Sequence, residues 1–142
     1  MKNLFIRAIE IASVAHKGQT DKNGEPYLAH VMRVGLKGKS YEEKICGILH
    51  DVVEDTNWTF DQLIKEGFPQ AIIDALFCLT KTSDQENYNE FIDRVKTNPL
   101  AIRVKLNDLE DNMDIRRLNS IGEKEVIRLN KYLLAHKSLI SL

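Results

Sequence analysis

Between Ile45 and Thr56 an apolar run of helical spacing carries a histidine and three carboxylates, and no other stretch restricts the fold as much. Ile45, Cys46, Ile48, Leu49, Val52 and Val53 recur at the spacing of a helix with one side in a core. Into that run are set His50, Asp51, Glu54 and Asp55. Residues four apart share a helix face, so one helix is expected from Tyr41 to about Glu54. His50 then lies beside Glu54, and Asp51 beside Asp55. Carboxylates near a helix C-terminus oppose the macrodipole, and three of them call for a compensating cation. An imidazole among several hard oxygens suits a borderline or hard divalent ion. The stretch reads as the floor of a metal-dependent hydrolytic site.

The rest of the chain follows the same period. Leu4, Phe5, Ala8, Ile9, Ala12 and Ala15 mark a helix from Leu4 to Lys17, ended by Gly18. Residues 19 to 26 form a polar loop with Gly24 and Pro26. A second helix, Tyr27 to Leu36, carries His30 and stops at Gly38. Ser40 with Glu43 reads as a capping box for the helix that follows. Further helices are expected over Phe60 to Glu66 behind Thr59, Pro69 to Leu79, Tyr88 to Lys96, from Pro99 onward, and from Lys124 to about Leu139. The segment Thr80 to Glu86 reads as a mobile polar linker. No alternation of strand type and no internal repeat occurs. The expected fold is all-α, one compact domain over residues 1–142 with about seven or eight helices.

The 142 residues carry a formal net charge of -1, which gives no bulk electrostatic case for a nucleic-acid polymer or a membrane surface. No apolar run reaches the roughly 18 residues of a membrane span, and the N-terminus lacks the pattern of a signal peptide. A cytoplasmic protein is expected. Cys46 and Cys78 sit in apolar helical patterns and read as buried free thiols. The apolar positions of the last helix fit a core or an interface equally, which leaves the oligomeric state open.

Two more pieces complete a metal-type set. His30 lies on a helix joined to the next by a short connection, an arrangement that can bring it to His50. Asp108 lies between Leu106 and Leu109 on a core-forming helix, with Asn112 one turn further along. The order His30, His50-Asp51, Asp108 resembles the H…HD…D set of the HD phosphohydrolase superfamily. Four runs resemble, more narrowly, the hydrolase domain of RelA/SpoT homologues. They are His16-Lys17-Gly18-Gln19, Gly24-Glu25-Pro26-Tyr27-Leu28-Ala29-His30, Leu49-His50-Asp51-Val52-Val53-Glu54-Asp55-Thr56 and Val104-Lys105-Leu106-Asn107-Asp108. The similarity covers about residues 1 to 118, and small stand-alone members of that group are alarmone hydrolases.

The resemblance implies an HD-type helical fold and one Mn²⁺ held by His30, His50, Asp51 and Asp108. It implies that Glu54 and Asp55 position or activate the attacking water. The implied substrate is a guanosine 3′-diphosphate such as ppGpp, giving pyrophosphate and GDP or GTP. The synthetase domain of long family members has no room in this length, so alarmone synthesis is not expected. A phosphate-rich substrate needs cations, and Lys17, Lys22 and Lys105 are candidates; Asn112 matches the family position near the ribose.

The chain also departs from the family pattern. Val31 follows His30 where a proline is usual. Asp21 precedes Lys22 where the family has an arginine that packs on guanine. Leu109 replaces an arginine, and Asp111 a histidine or tyrosine. Since a carboxylate cannot stack as a guanidinium can, Asp21→Arg is expected to strengthen guanine binding. Two other readings stand beside alarmone hydrolysis. One keeps the metal chemistry with a nucleoside monophosphate or the phosphate of NADPH; the other is a non-catalytic nucleotide or metal sensor. Asp108→Ala should abolish both metal binding and activity, and stoichiometric Mn²⁺ in that variant would remove Asp108 from the ligand set.

Overall fold

The computed structural model describes residues 3–142; Met1 and Lys2, where the N-terminal reading begins, lie outside them. Nine α-helices follow one another, and no strand occurs among the described residues. They are α1 (Leu4–Ala15), α2 (Tyr27–Lys37), α3 (Tyr41–Leu49), α4 (Val52–Asp55), α5 (Phe60–Lys65), α6 (Gln70–Leu79), α7 (Tyr88–Val95), α8 (Pro99–Asn112) and α9 (Glu123–Ile140). A short 3₁₀ turn, Ile115–Arg117, follows α8. The all-α reading is borne out, and every expected helix but one is present within a few residues of its expected ends.

The expected helix from Tyr41 to Glu54 is two helices. α3 stops at Leu49, His50 is its C-cap, and Asp51 has φ -107° and ψ 1°, outside helical geometry. Pairing resumes when Asp55 N–H bonds the Asp51 carbonyl at 3.0 Å. The break separates the chemistry. Asp51 and Asp55 remain paired through the single turn of α4, whereas the His50–Glu54 rung does not form. The macrodipole argument changes too: Glu54 and Asp55 lie in the first turn of α4, not at the end of a long helix.

The core is one cluster centred where α2, α3, α6 and α8 meet, with Val31, Val34, Ile45, Ile48, Ile72, Leu76 and Val104 among its buried members. The packing of α2 against α3 is the most extensive between any two helices. Two glycines permit it. A Cβ on Gly47 would lie 3.0 Å from the Gly35 Cα, and one on Gly35 would lie 2.4 Å from Ile48 Cγ1. With bare Cα atoms facing each other, the backbones approach closely and bring His30 and His50 to one end of the contact. Their ring centroids are 5.5 Å apart.

α8 is tied to α3 by a polar clamp. The buried Glu43 carboxylate accepts from Asn107 Nδ2 at 2.9 Å and Arg103 Nε at 3.2 Å. This explains why Ser40 caps α3 alone. Ser40 Oγ accepts the Glu43 N–H at 3.1 Å, but the Glu43 side chain is drawn to α8 and does not complete the capping box. A full box forms instead at Thr59 and Gln62.

The segment 80–86 is pinned by its hydrogen bonds. Arg94 donates to the Thr80 carbonyl at 2.5 Å and also bonds Glu86, and Thr82 N–H reaches Glu86 Oε1 at 3.1 Å. Both cysteines are free; Cys46 is buried and Cys78 half-buried. No helix among the described residues is long and apolar enough to cross a membrane. Gly47→Ala should destabilise the protein by about 1–3 kcal/mol through overpacking, read as a lower denaturant midpoint; an unchanged midpoint would mean that α2 and α3 separate freely.

Candidate metal centre

His30 of α2, the His50–Asp51 break and Asp108 of α8 come together at the open end of the core. His30 Nε2 lies 3.0 Å from Asp108 Oδ1. His50 Nε2 lies 3.0 Å from Asp51 Oδ2 and 3.4 Å from Asp108 Oδ1. One ligand-type atom from each of His30, His50 and Asp51 falls within 4.8 Å of the others. The four side chains singled out from sequence therefore converge, although three separate elements supply them.

The opposite ring nitrogens are anchored away from this point. His50 Nδ1 donates to the Gly47 carbonyl at 2.5 Å, and His30 Nδ1 donates to Asp111 Oδ2 at 2.6 Å. Each bond fixes the tautomer that leaves Nε2 with a lone pair directed inward, as metal-binding histidines are usually held. His50 Nε2 is buried and forms no well-directed hydrogen bond. A buried imidazole nitrogen facing two carboxylate oxygens without a bond to either suits a cation between them. Two nitrogens and two carboxylates form a donor set for a divalent first-row ion.

Charge at the centre is strongly coupled. Burial alone would raise the Asp108 carboxyl, but the Lys105 ammonium, with Nζ 2.9 Å from Oδ2, and His50 hold it well below its usual range. Asp51 likewise lies at about 2, held down by His50 against burial. Burial would lower His50, but Asp51 and Asp108 raise it above an ordinary imidazole. Asp55 is pushed up to about 7 by burial, by Asp51 and by Glu54. Tyr27 donates to Asp51 Oδ2, and its ring packs between His16 and His30.

The other sequence candidates separate. Glu54 is exposed and its Oε1 accepts the Lys81 N–H at 2.8 Å, on the wall of a different cavity. Lys105 is spent on Asp108 and packs over the Phe91 ring at 5.1 Å, so its ammonium holds a carboxylate in place. Lys17 is exposed, beyond the end of α1 and off the cavity wall. Asn112 donates to Asp108 Oδ1 at 3.1 Å, and Asn112 and Lys22 both line a cavity of about 320 Å³ that opens beside His30.

Several residues of this region were not singled out as site residues from sequence. Asp111 is 2 % exposed and accepts from His30, from Arg33 Nε at 2.8 Å and from Arg117 Nη1 at 2.8 Å. Arg117 also donates to Asp21 Oδ2 at 3.0 Å. α9, read only as core or interface, brings Arg128 and Tyr132 to the cavity wall. Arg33, Arg117 and Arg128 lie at single positions whose meaning depends on distant partners, so no periodicity marks them. Asp111 was visible only as a substitution in the resembled motif.

Asp21 is not a lost contact. Its Oδ1 accepts the N–H groups of Asn23 and Glu25 at 2.9 and 3.0 Å, and its Oδ2 accepts from Arg117. It organises the loop that the Thr20–Pro26 bridge closes. Asp21→Arg would remove these bonds and set two guanidinium groups against each other, which argues against a gain in guanine binding from that change.

A protein of Aquifex aeolicus named guanosine-3′,5′-bis(diphosphate) 3′-pyrophosphohydrolase is 36% identical over 118 residues, 75% of this chain and 17% of its own. A protein of the same name from Borreliella burgdorferi is 36% identical over 100 residues, 68% of this chain and 15% of its own. The chain belongs to the RelA/SpoT homologue group. The Escherichia coli protein named bifunctional (p)ppGpp synthase/hydrolase SpoT is 32% identical over 128 residues, 81% of this chain and 18% of its own. This RelA/SpoT homologue thus spans less than a fifth of the length of these curated relatives. No family model matches. In fold it is similar to a solved metazoan SpoT orthologue that hydrolyses ppGpp. That match has a TM-score of 0.78 at 22% identity and covers 99% of this chain and 85% of the other.

If Asp111 orients His30, Asp111→Ala should weaken divalent-ion binding by roughly 10–100-fold, measured by calorimetric titration. Unchanged affinity would mean that His30 is held by its packing alone.

Proposed function

We propose that this chain is a metal-dependent phosphohydrolase that removes the 3′-diphosphate of a guanosine nucleotide such as ppGpp, releasing pyrophosphate. The observation that carries this reading is the inward pair of imidazole Nε2 atoms beside Asp51 and Asp108, each ring anchored through its other nitrogen. His30, His50, Asp51 and Asp108 would hold one divalent ion, Mn²⁺ by the family resemblance. Such an ion polarises a phosphoryl oxygen and lowers the pKa of water.

The protein's own groups supply the rest. Tyr27 and Lys105 keep Asp51 and Asp108 in place as anions. Asp55 lies within electrostatic reach of Asp51, His50 and Asp108, and its carboxyl sits near neutrality. Held one turn from Asp51, Asp55 would take a proton from the water as its oxygen bonds phosphorus and return it to the 3′-oxygen as the old phosphorus–oxygen bond breaks. Glu54 stands one residue away, but its side chain accepts the Lys81 N–H on the wall of a different cavity, so its part is to hold that segment.

The substrate enters through the cavity beside His30, where Lys22 and Arg128 supply positive charge and Asn112 a hydrogen-bonding amide. The Lys22 ammonium is pushed below its ordinary range by desolvation and by Arg128, a crowding that an anion relieves. Lys17 has no place in this arrangement.

A second reading, the same chemistry on a nucleoside monophosphate or on the phosphate of NADPH, draws support from the unusual loop around Asp21. A panel of ppGpp, nucleoside monophosphates and NADPH, assayed with Mn²⁺ for pyrophosphate against phosphate release, distinguishes the two. Pyrophosphate from ppGpp is the expected outcome, and phosphate from NADPH alone would favour the second. Asp55→Asn should lower kcat by roughly 10²–10⁴-fold, with Glu54→Gln as its control in single-turnover measurements. A rate unaffected by Asp55→Asn would remove Asp55 from proton transfer.

A further inference from the structure

Arg117 lines the cavity beside His30, yet its charge and both of its terminal nitrogens are already engaged. Nη1 donates to the Asp111 carboxylate at 2.8 Å and to the Asp111 carbonyl at 2.9 Å, and it approaches the Asn112 side-chain oxygen at 3.4 Å. Nη2 donates to Asp21 Oδ2 at 3.0 Å, and Nε is buried without a partner. Two aspartates thus neutralise the guanidinium and grip it from two sides. A group held in this way is poorly suited to bind a phosphate, which would need a free N–H edge and an uncompensated charge. What it still offers the cavity is its flat face, and a guanidinium face stacks on planar rings.

The other cations of the cavity are different in kind. Lys22 lies within electrostatic reach of one carboxylate, Glu125, and Arg128 meets the same Glu125 through Nη2 at 3.1 Å. The wall therefore divides into two cations that share one carboxylate, an excess of positive charge for an anion, and one guanidinium matched by two carboxylates beside the apolar Leu118.

We propose that Arg117 is the base-binding residue of this site, a stacking platform for a purine, with Asp21 and Asp111 as the clamp that presents its face. The proposal rests on the nucleotide reading above and names the residue that recognises the base. It also assigns the clamp a cost: Asp111 serves His30 and Arg117 together, so the base platform and the metal centre share one carboxylate.

The test compares GDP, which carries a base, with pyrophosphate, which does not. Binding of each is measured by calorimetry to the Mn²⁺-loaded protein. Arg117→Lys keeps a cation for Asp21 and Asp111 but has no planar face. It should weaken GDP about tenfold, within the range for one stacked base, and leave pyrophosphate and Mn²⁺ within twofold. Asp21→Asn leaves the guanidinium intact and loosens its clamp; it should weaken GDP severalfold with pyrophosphate again unchanged, and it serves if the lysine variant folds poorly. Equal losses for GDP and pyrophosphate would show a charge role and overturn the proposal. Unchanged GDP affinity in both variants would overturn it while leaving the hydrolase reading intact. A wild-type protein that binds neither ligand would defeat the nucleotide reading itself, and the proposal with it.

Discussion

The structure depends on burying carboxylates without leaving them uncompensated. Asp108 is 5 % exposed and Asp111 2 %. An isolated anion in such a place would take up a proton or open the fold. Each is surrounded by donors instead. Asp108 accepts from Lys105 and Asn112, with the two imidazole Nε2 atoms beside it; Asp111 accepts from His30, Arg33 and Arg117. These partners come from α2, the α3–α4 break, α8 and the turn after it. The same charge pairing that makes the aspartates tolerable also joins the helices around them.

That pairing needs α2 and α3 at short range, and a small residue on each helix provides it. Gly35 and Gly47 let the backbones close until His30 and His50 share one focus. The break after Leu49 then turns Asp51 inward and leaves Glu54 facing Lys81. Had α3 continued, Asp51 would have stayed on a helix face and could not have joined His50 in the same small volume. Backbone geometry thus decides which of the three neighbouring carboxylates joins the centre.

Much of this was legible in advance. The all-α fold follows from apolar spacing, and the convergence of His30, His50, Asp51 and Asp108 agrees with the order in which they occur. The failures share one physical cause. Lys17, Lys22 and Lys105 look alike in sequence, but one is exposed, one lines the cavity and one is bonded to a buried aspartate. Glu43 read as half of a capping box because its better partners, Arg103 and Asn107, lie 60 and 64 residues away. Asp21 looked like a missing arginine because Arg117 is 96 residues distant.

The sequence by itself determined the helical period and the positions of most helix ends, because these rest on interactions within a few residues, while the four converging side chains were marked by a motif resemblance and not by local spacing. Only the tertiary structure decided what the charged side chains do. A charge takes its role from the nearest opposite charge and from how much water is excluded around the pair. Both are set by where helices α2, α3, α8 and α9 come to rest against one another, which spacing along the chain does not encode.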